Sequence, residues 1–130
     1  MAEAKFIIGI DLGTTNCTLA YSLLKGDDAP IEQFSIPQVV AAGTESSSQT
    51  LPSFIYFPLD EELQKQTASI SWDPSRTFCA GVYAHNRGAE LPSRLISSAK
   101  SWLCQPGIDR RAPLLPEGEE EVPKLSPLDA

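Results

Sequence analysis

An apolar run that ends in an aspartate and a glycine-hydroxyl turn constrains the fold of this chain more than any other feature. The run begins at Phe6, and residues 6–16 read Phe-Ile-Ile-Gly-Ile-Asp-Leu-Gly-Thr-Thr-Asn. A second apolar stretch follows from Cys17 to Leu24. Two apolar runs on either side of a short turn predict a β-hairpin, with strands over residues 5–11 and 17–24. We expect the first strand to be buried, so that a buried strand ends in a carboxylate, a flexible backbone and two hydroxyls.

The residues of this turn have the chemistry of a phosphate site. Gly13 lacks a Cβ and can adopt a positive φ, so backbone N–H groups here can approach a phosphate closely. Thr14 and Thr15 each supply a hydroxyl that can donate to a phosphate oxygen or bind a metal-bound water. Asp11 is an oxygen ligand suited to Mg²⁺, directly or through water. An ordinary hairpin turn is the alternative, and for an isolated Asp-x-Gly it is the better interpretation.

The longer sequence around the turn resembles a known family. Residues 8–16, Ile-Gly-Ile-Asp-Leu-Gly-Thr-Thr-Asn, closely resemble the first phosphate motif of the DnaK-type heat-shock chaperone ATPases, a branch of the actin and hexokinase superfamily. Residues 49–56, Gln-Thr-Leu-Pro-Ser-Phe-Ile-Tyr, resemble the family's Arg-Thr-Thr-Pro-Ser-x-x-x-(Tyr/Phe) strand. Residues 97–103 lie where the family has a helix with a lysine followed by Arg-Leu-Ile-Gly. The resemblance covers residues 5–110.

The resemblance implies a site for ATP or ADP with Mg²⁺. Asp11 would bind the metal through water, and Gly13 would keep the turn open. Thr14 and Thr15 would contact the β- and γ-phosphates, and Asn16 would contribute its backbone.

The resemblance also implies a catalytic role for Lys100. The family's lysine helps to place the attacking water near the γ-phosphate, where a cation stabilises the charge of the transferring phosphoryl group. Lys100 is followed by Ser101-Trp102 instead of the family's Arg-Leu. Without the resemblance, Lys100 is more simply a surface lysine whose stem packs at the border of an apolar stripe.

The fold class that the resemblance implies is a mixed α+β part of a ribonuclease-H-like, actin-like ATPase domain. We expect an N-terminal β-hairpin layer and part of a small lobe with short helices. A full chaperone of this family is several times longer than these 130 residues. We therefore expect residues 1–130 to be the N-terminal part of a nucleotide-binding domain, with residues 108–130 as its proline- and acid-rich C-terminal segment.

The expected function is that of an ATP-dependent molecular chaperone. In the intact protein, Mg²⁺-dependent ATP hydrolysis would drive the binding of unfolded polypeptides, with co-chaperones as further partners. We expect this chain alone to bind ATP weakly, to be inactive, and to self-associate through uncovered apolar strand faces. The alternatives are a sugar or acid kinase of the same superfamily and a non-enzymatic actin-like scaffold or remnant. Thr-x-Pro-Ser at 50–53 and Lys100 favour the chaperone over the kinase.

Composition and charge exclude other classes of partner. The net charge of −7 argues against a nucleic-acid or anionic-membrane partner. No apolar run approaches the roughly 20 residues of a transmembrane helix, and residues 1–5 do not form a signal peptide. Cys17, Cys79 and Cys104 lack the spacing of a metal or redox site and fit a reducing cytoplasm. The lone His85 lacks ligand partners, and the acidic cluster at 117–121 lacks the spacing of a calcium loop.

The remaining secondary structure follows from periodicity and turn residues. We predict a turn at Gly26-Asp27-Asp28, strands over 31–36, 53–57, 69–72 and 77–80, a loop over 42–50 and a polar connector over 61–66. A short helix is predicted over 82–89. A longer one is predicted from Pro92 or Ser93 to Leu103, because its apolar residues share one helical face. Residues 113–127 contain four prolines and predict a short hairpin or extended chain, and residues 125–130 resemble the start of a helix.

Overall fold

The computed structural model of this chain describes residues 3–24, 28–118 and 121–130. The predicted turn at Gly26-Asp27 and the acidic residues Glu119 and Glu120 lie outside the described residues. The described chain is a mixed α/β structure with antiparallel sheets and few, short helices. Its strands are β1 (Phe6–Leu12), β2 (Asn16–Leu23), β3 (Glu32–Gln33), β4 (Ile36–Ala41), β5 (Thr44–Ser48), β6 (Leu51–Pro52), β7 (Phe54–Tyr56), β8 (Cys79–Ala80) and β9 (Leu95–Ser97). Its helices are α1 (Asp60–Gln64), α2 (Val82–Glu90) and α3 (Ala99–Trp102), and a 3₁₀ turn spans Pro92–Arg94.

The N-terminal sheet is built on the predicted hairpin, which is confirmed. β1 and β2 pair antiparallel from Phe6 opposite Leu23 to Leu12 opposite Cys17. β3 and β6 both pair with β2, so β2 is the inner strand. The third strand predicted over 31–36 is confirmed in this sheet only at Glu32–Gln33. After a hydrogen bond from the N–H of Phe34 to the carbonyl of Leu19, the chain leaves this sheet to begin β4.

A second hairpin, β4–β5, replaces the loop that was predicted over 42–50. β4 contributes the buried Gln38 and Val39, whereas most of the polar β5 is exposed. Gly43 has a φ of +68° in the connecting turn, a conformation that glycine adopts without strain. The loop prediction failed because pairing with β4 orders a stretch whose composition alone is typical of a loop.

The third sheet has the order β8-β7-β9, and α2 contacts its central strand. Ile55 of β7 lies opposite Ala80 on one side and Ile96 on the other. The helix predicted from 93 to 103 is therefore wrong in its first half, since Leu95–Ser97 forms β9 and only Ala99–Trp102 is helical. Ser98, with a φ of 53°, separates the two elements. The apolar pair at 95–96 fits a strand as well as a helix, and pairing with β7 decides between them.

The other helices agree in part with the predictions. The helix predicted over 82–89 is confirmed as α2. The connector predicted over 61–66 is wrong, because α1 forms there with three acidic residues in its first turn, where the helix dipole favours negative charge. The strand predicted over 69–72 is only an isolated bridge between Ile70 and Asp73, and the one over 77–80 is shortened to Cys79–Ala80.

Two small clusters form the hydrophobic core. The first joins Val39, Ala68, Cys79 and Tyr83. The second joins Phe57, Ile96, Leu115 and Val122, so part of the proline-rich C-terminal segment packs on the β7 sheet. Within that segment a bridge pairs Leu115 with Leu125, and the N–H of Ala130 donates to the carbonyl of Ser126 in a single helical turn.

β1 is not part of this core. All seven of its residues are exposed, including Phe6, Ile8, Ile10 and Leu12 at 49%, 61%, 62% and 66%. The expectation of a buried first strand is therefore wrong for this chain. The two core clusters lie on other sheets, and none of the described residues covers the faces of β1 enough to bury them.

Candidate functional site

Three separate parts of the sequence meet at the turn between β1 and β2 (residues 11–16, here the β1–β2 turn). The Ser53 hydroxyl donates to the carbonyl of Gly13 at 2.8 Å, and its backbone N–H donates to the carbonyl of Thr15 at 2.8 Å. The ammonium of Lys100, on α3, donates to the carbonyl of Leu12 at 2.8 Å. Two segments that are distant in sequence therefore hold three backbone carbonyls of this turn, those of Leu12, Gly13 and Thr15.

Gly13 is required by a close backbone approach. A Cβ at this position would lie 2.2 Å from the carbonyl oxygen of Asn16, far inside van der Waals contact. Gly13 is not among the glycines with a positive φ, so the turn uses its lack of a Cβ and not its freedom to adopt that conformation. The chain reverses so tightly that no side chain fits at this position.

A cavity of about 380 Å³ opens beside the turn. Of the predicted site residues, Gly13, Thr14 and Lys100 line it. Most of the remaining lining is apolar and comes from β6, β7, α3 and the C-terminal residues, including Leu51, Ile55, Leu103, Pro127 and Leu128. One side of the turn thus faces the cavity, and the other side is exposed to solvent.

Asp11, Thr15 and Asn16 lie outside the cavity lining. All three are exposed, as is Thr14, and Asp11 lies opposite Thr18 in the hairpin. The structure therefore brings the predicted residues together along one turn, but divides them between the cavity and the outer surface. A phosphate chain that contacted all of them would have to lie across the rim of the turn.

The charges at the turn suit a phosphate that arrives with its own metal ion. No group of three or more His, Cys, Asp or Glu side chains lies together within the described ranges, so Asp11 is not part of an all-protein cage there. Mg²⁺ is usually held by one or two carboxylates together with phosphates and waters, and Asp11 fits that pattern. Lys100 uses one donor on Leu12, and an ammonium has three, so it can also bind an anion.

Two neighbouring residues were not predicted as site residues. Ser53 makes two of the contacts that hold the turn, and the Pro-Ser step in the motif at 50–53 was the signal that could have identified it. The Sγ of Cys17 lies 3.4 Å from the Ser53 hydroxyl, and Cys17 also lines the cavity. Its place next to Ser53 came from the pairing of β2 with β6, which the sequence did not reveal.

A separate polar network is centred on Glu62 of α1. The Glu62 carboxylate accepts hydrogen bonds from the hydroxyls of Tyr56 at 2.6 Å and Tyr83 at 3.1 Å, from Arg87 Nε at 2.8 Å and from the N–H of Leu59 at 2.8 Å. Burial raises the pKa of Glu62, but these hydrogen bonds outweigh it and hold the pKa below its usual value. Burial and the adjacent carboxylate raise the pKa of both tyrosines. Because the network joins α1, β7 and α2 and is saturated by them, its role is structural.

His85 lies on the surface of α2. It is exposed, its ring lies 4.6 Å from the ring of Phe54, and one ring nitrogen is 3.1 Å from the side-chain oxygen of Asn86. These contacts fix its orientation on the surface of α2.

The helices of the described chain are all too short or too polar to cross a membrane. The chain has no significant match among protein-family models, curated proteins or solved structures. The function proposed below therefore depends on the motifs of the sequence and on the contacts at the β1–β2 turn.

Proposed function

We propose that the β1–β2 turn binds the phosphate chain of ATP with its Mg²⁺. We further propose that the chain is the N-terminal part of the nucleotide-binding domain of a DnaK-type chaperone ATPase with an actin-like fold. The observation that supports this best is the convergence of the three family-like motifs, at 8–16, 50–53 and 97–103, on one turn. The motifs were recognised separately along the sequence, and an accidental resemblance gives no reason for them to touch.

Four residues of the turn have side-chain or backbone roles in this proposal. Gly13 keeps the turn tight enough for successive N–H groups to face one phosphate. Thr14 and Thr15 donate hydroxyl hydrogen bonds to phosphate oxygens, and Asp11 accepts hydrogen bonds from the waters of the metal ion. Bound Mg²⁺ would neutralise the charge that develops on the phosphoryl oxygens.

Lys100 holds the turn from the cavity side. Its ammonium is fixed at the carbonyl of Leu12, one residue before Gly13, so a positive charge stands at the base of the turn. From there it attracts the phosphate chain and favours the negative charge of the transition state. In this proposal, it is the intact protein that hydrolyses ATP in the cytoplasm and couples this reaction to the binding of unfolded polypeptides, with co-chaperones as partners.

The role of Ser53 favours the chaperone over a kinase of the same superfamily. The kinases share the Asp-x-Gly-Thr core, but membership of the kinase class would not predict Thr-x-Pro-Ser at 50–53. Here the last residue of that motif makes two hydrogen bonds to the turn. The motif therefore stabilises the turn of the proposed site.

A titration of amide chemical shifts with MgATP tests the proposal. We expect weak binding, with a Kd of about 1 mM or higher. The shifts should concentrate at residues 12–16, at Ser53 and at Lys100, because phosphates perturb the groups that they contact. Adenosine, which lacks phosphates, should leave these amides unchanged.

A pair of lysine variants supplies the control. Lys100→Met removes the charge at the turn and should weaken binding about fivefold to tenfold, as expected for a charge-assisted contact. Lys65→Met removes an exposed lysine that pairs with Glu61 at 3.7 Å and should leave binding unchanged. Equal effects of the two variants, or shifts that adenosine reproduces, would contradict the proposal.

A further inference from the structure

The outer edge of β1 is open. Within the described part of the chain β1 pairs with β2 on one side, and no strand lies on the other. An open edge of this length, with apolar side chains on it, is a template for pairing with another strand. It is also strongly apolar, since Phe6, Ile8 and Ile10 are each about half exposed or more.

The hydrogen bonds of the hairpin show which groups point outward. The N–H of Leu24 donates to the carbonyl of Lys5, so Lys5 and Leu24 form a hydrogen-bonded pair. Because such pairs alternate along an antiparallel ladder, the odd-numbered residues of β1 direct their N–H and C=O groups to β2. The even-numbered residues direct theirs outward. The bond from Lys100 to the carbonyl of Leu12 agrees with this, because it reaches β1 from the open side.

We propose that β1 pairs with β1 of a second copy of this chain, antiparallel, across a two-fold axis at Ile8. In this register Ile8 faces Ile8 of the second copy, and Phe6 faces Ile10. All of these are even-numbered residues, so their outward N–H and C=O groups meet as hydrogen-bonded pairs. The carbonyl of Leu12, which Lys100 already occupies, stays outside the paired stretch.

Charge complementarity selects this register. Lys5 lies opposite Asp11 of the second copy, and by symmetry Asp11 lies opposite Lys5. Both are exposed odd-numbered residues in non-hydrogen-bonded positions, where opposed side chains are closest. A shift of two residues in one direction places Asp11 opposite Glu3, which is repulsive. A shift in the other direction places it opposite Ile7.

The same pattern favours a second copy over a different partner. The strand carries a cation at one end and an anion at the other, with apolar residues between them, so it is complementary to its own antiparallel copy. Such self-complementarity is what a two-fold interface requires. The pairing does not depend on the proposed nucleotide site, and its test needs no nucleotide.

Sedimentation velocity of the full chain over a concentration series, without nucleotide, tests the pairing. The wild-type chain should form a dimer. Ile8→Lys places two like charges at the two-fold axis and should weaken the dimer at least about tenfold. Ile31→Lys is the matched control, because Ile31 is even more exposed, at 82%, but lies away from β1. It should leave the dimer unchanged.

Charge reversal tests the register. Lys5→Glu and Asp11→Lys each place like charges opposite one another and should weaken the dimer about fivefold, whereas the double variant should restore it. A chain that stays monomeric at every concentration would overturn the proposal. So would a dimer that is indifferent to Ile8→Lys, or single charge variants that the double variant does not rescue. Because all these residues are exposed, the variants keep the fold, which circular dichroism checks.

Discussion

Replacing Gly13 with alanine tests the tight backbone approach on which the site depends. The new Cβ would lie 2.2 Å from the carbonyl oxygen of Asn16 and 3.3 Å from its carbonyl carbon. Both are backbone atoms, so the turn itself must open, by about 1 Å or more, to restore van der Waals contact. That opening moves the carbonyls of Gly13 and Thr15, which accept the two 2.8 Å hydrogen bonds from Ser53.

The magnitude follows from these contacts. Relief of an overlap of this kind costs about 1–3 kcal/mol, and each weakened hydrogen bond adds about 1 kcal/mol. Alanine regains about 0.5–1 kcal/mol because it restricts the unfolded chain. Because two hydrogen bonds are weakened, we expect Gly13→Ala to lower the free energy of unfolding by about 2–4.5 kcal/mol.

Gly9→Ala is the matched control. Gly9 lies in β1, and a Cβ there would meet nothing within 4 Å. This change should raise the free energy of unfolding by about 0.5–1 kcal/mol. The same substitution four positions apart should thus have opposite signs.

Urea denaturation followed by circular dichroism measures both variants. The reasoning would be refuted if the two variants had equal stabilities within about 0.5 kcal/mol, because the turn would then have room for a side chain. Gly13→Ala should also abolish the MgATP-induced amide shifts, whereas Gly9→Ala should retain them.

Three further predictions concern the rest of the fold. Because the pKa of Glu62 lies below its usual 4.5, its ionised form stabilises the chain at higher pH, and this contribution is lost as pH falls below about 4.5. In urea titrations, Glu62→Gln should cost about 2–3 kcal/mol at pH 7 and should reduce the loss of stability at acid pH. An unchanged loss of stability at acid pH would contradict the network. Burial raises the pKa of Cys79 to about 11. At pH 8 a thiol reagent should therefore modify the exposed Cys104 rapidly and Cys79 only on unfolding. Equal modification rates of the two cysteines would show that Cys79 is accessible. A Cβ on Gly88 would lie 2.4 Å from Cδ1 and 2.9 Å from Cβ of Leu95. Gly88→Ala should therefore lower the midpoint temperature of thermal unfolding. An unchanged midpoint would refute the close packing of α2 on β9.

The sequence predicted best what depends on local patterns. The hairpin of β1 and β2 follows from two apolar runs around a turn, and α2 follows from a short helical pattern. The tightness of the turn was predictable from Gly13, although its cause is contact with Asn16 and not a positive φ.

The sequence failed where pairing between distant residues decides the structure. Leu95 and Ile96 fit a helical face, yet Ile96 pairs with Ile55, which lies forty-one positions earlier. The polar residues 44–48 have the composition of a loop, yet register with β4 makes them a strand. Periodicity within a short window carries no information about either pairing.

In the candidate site, too, local patterns were predictable and contacts between distant residues were not. Its individual motifs could be recognised, but their meeting at one turn required the fold. The contact of Ser53 with Gly13 and that of Lys100 with Leu12 join residues 40 and 88 positions apart. The exposure of β1 could not be predicted, because its apolar composition is that of a buried strand.

The most direct test of the central claim is the paramagnetic relaxation of backbone amides by Mn²⁺-ATP. Mn²⁺ takes the place of Mg²⁺ on the phosphates and broadens the signals of amides near the bound metal, with Mn²⁺ alone as the control. If the β1–β2 turn binds a metal-phosphate chain, broadening should be strongest at residues 11–16, should reach Ser53, and should require ATP. Broadening that is uniform, that Mn²⁺ alone reproduces, or that centres elsewhere on the chain would contradict the claim.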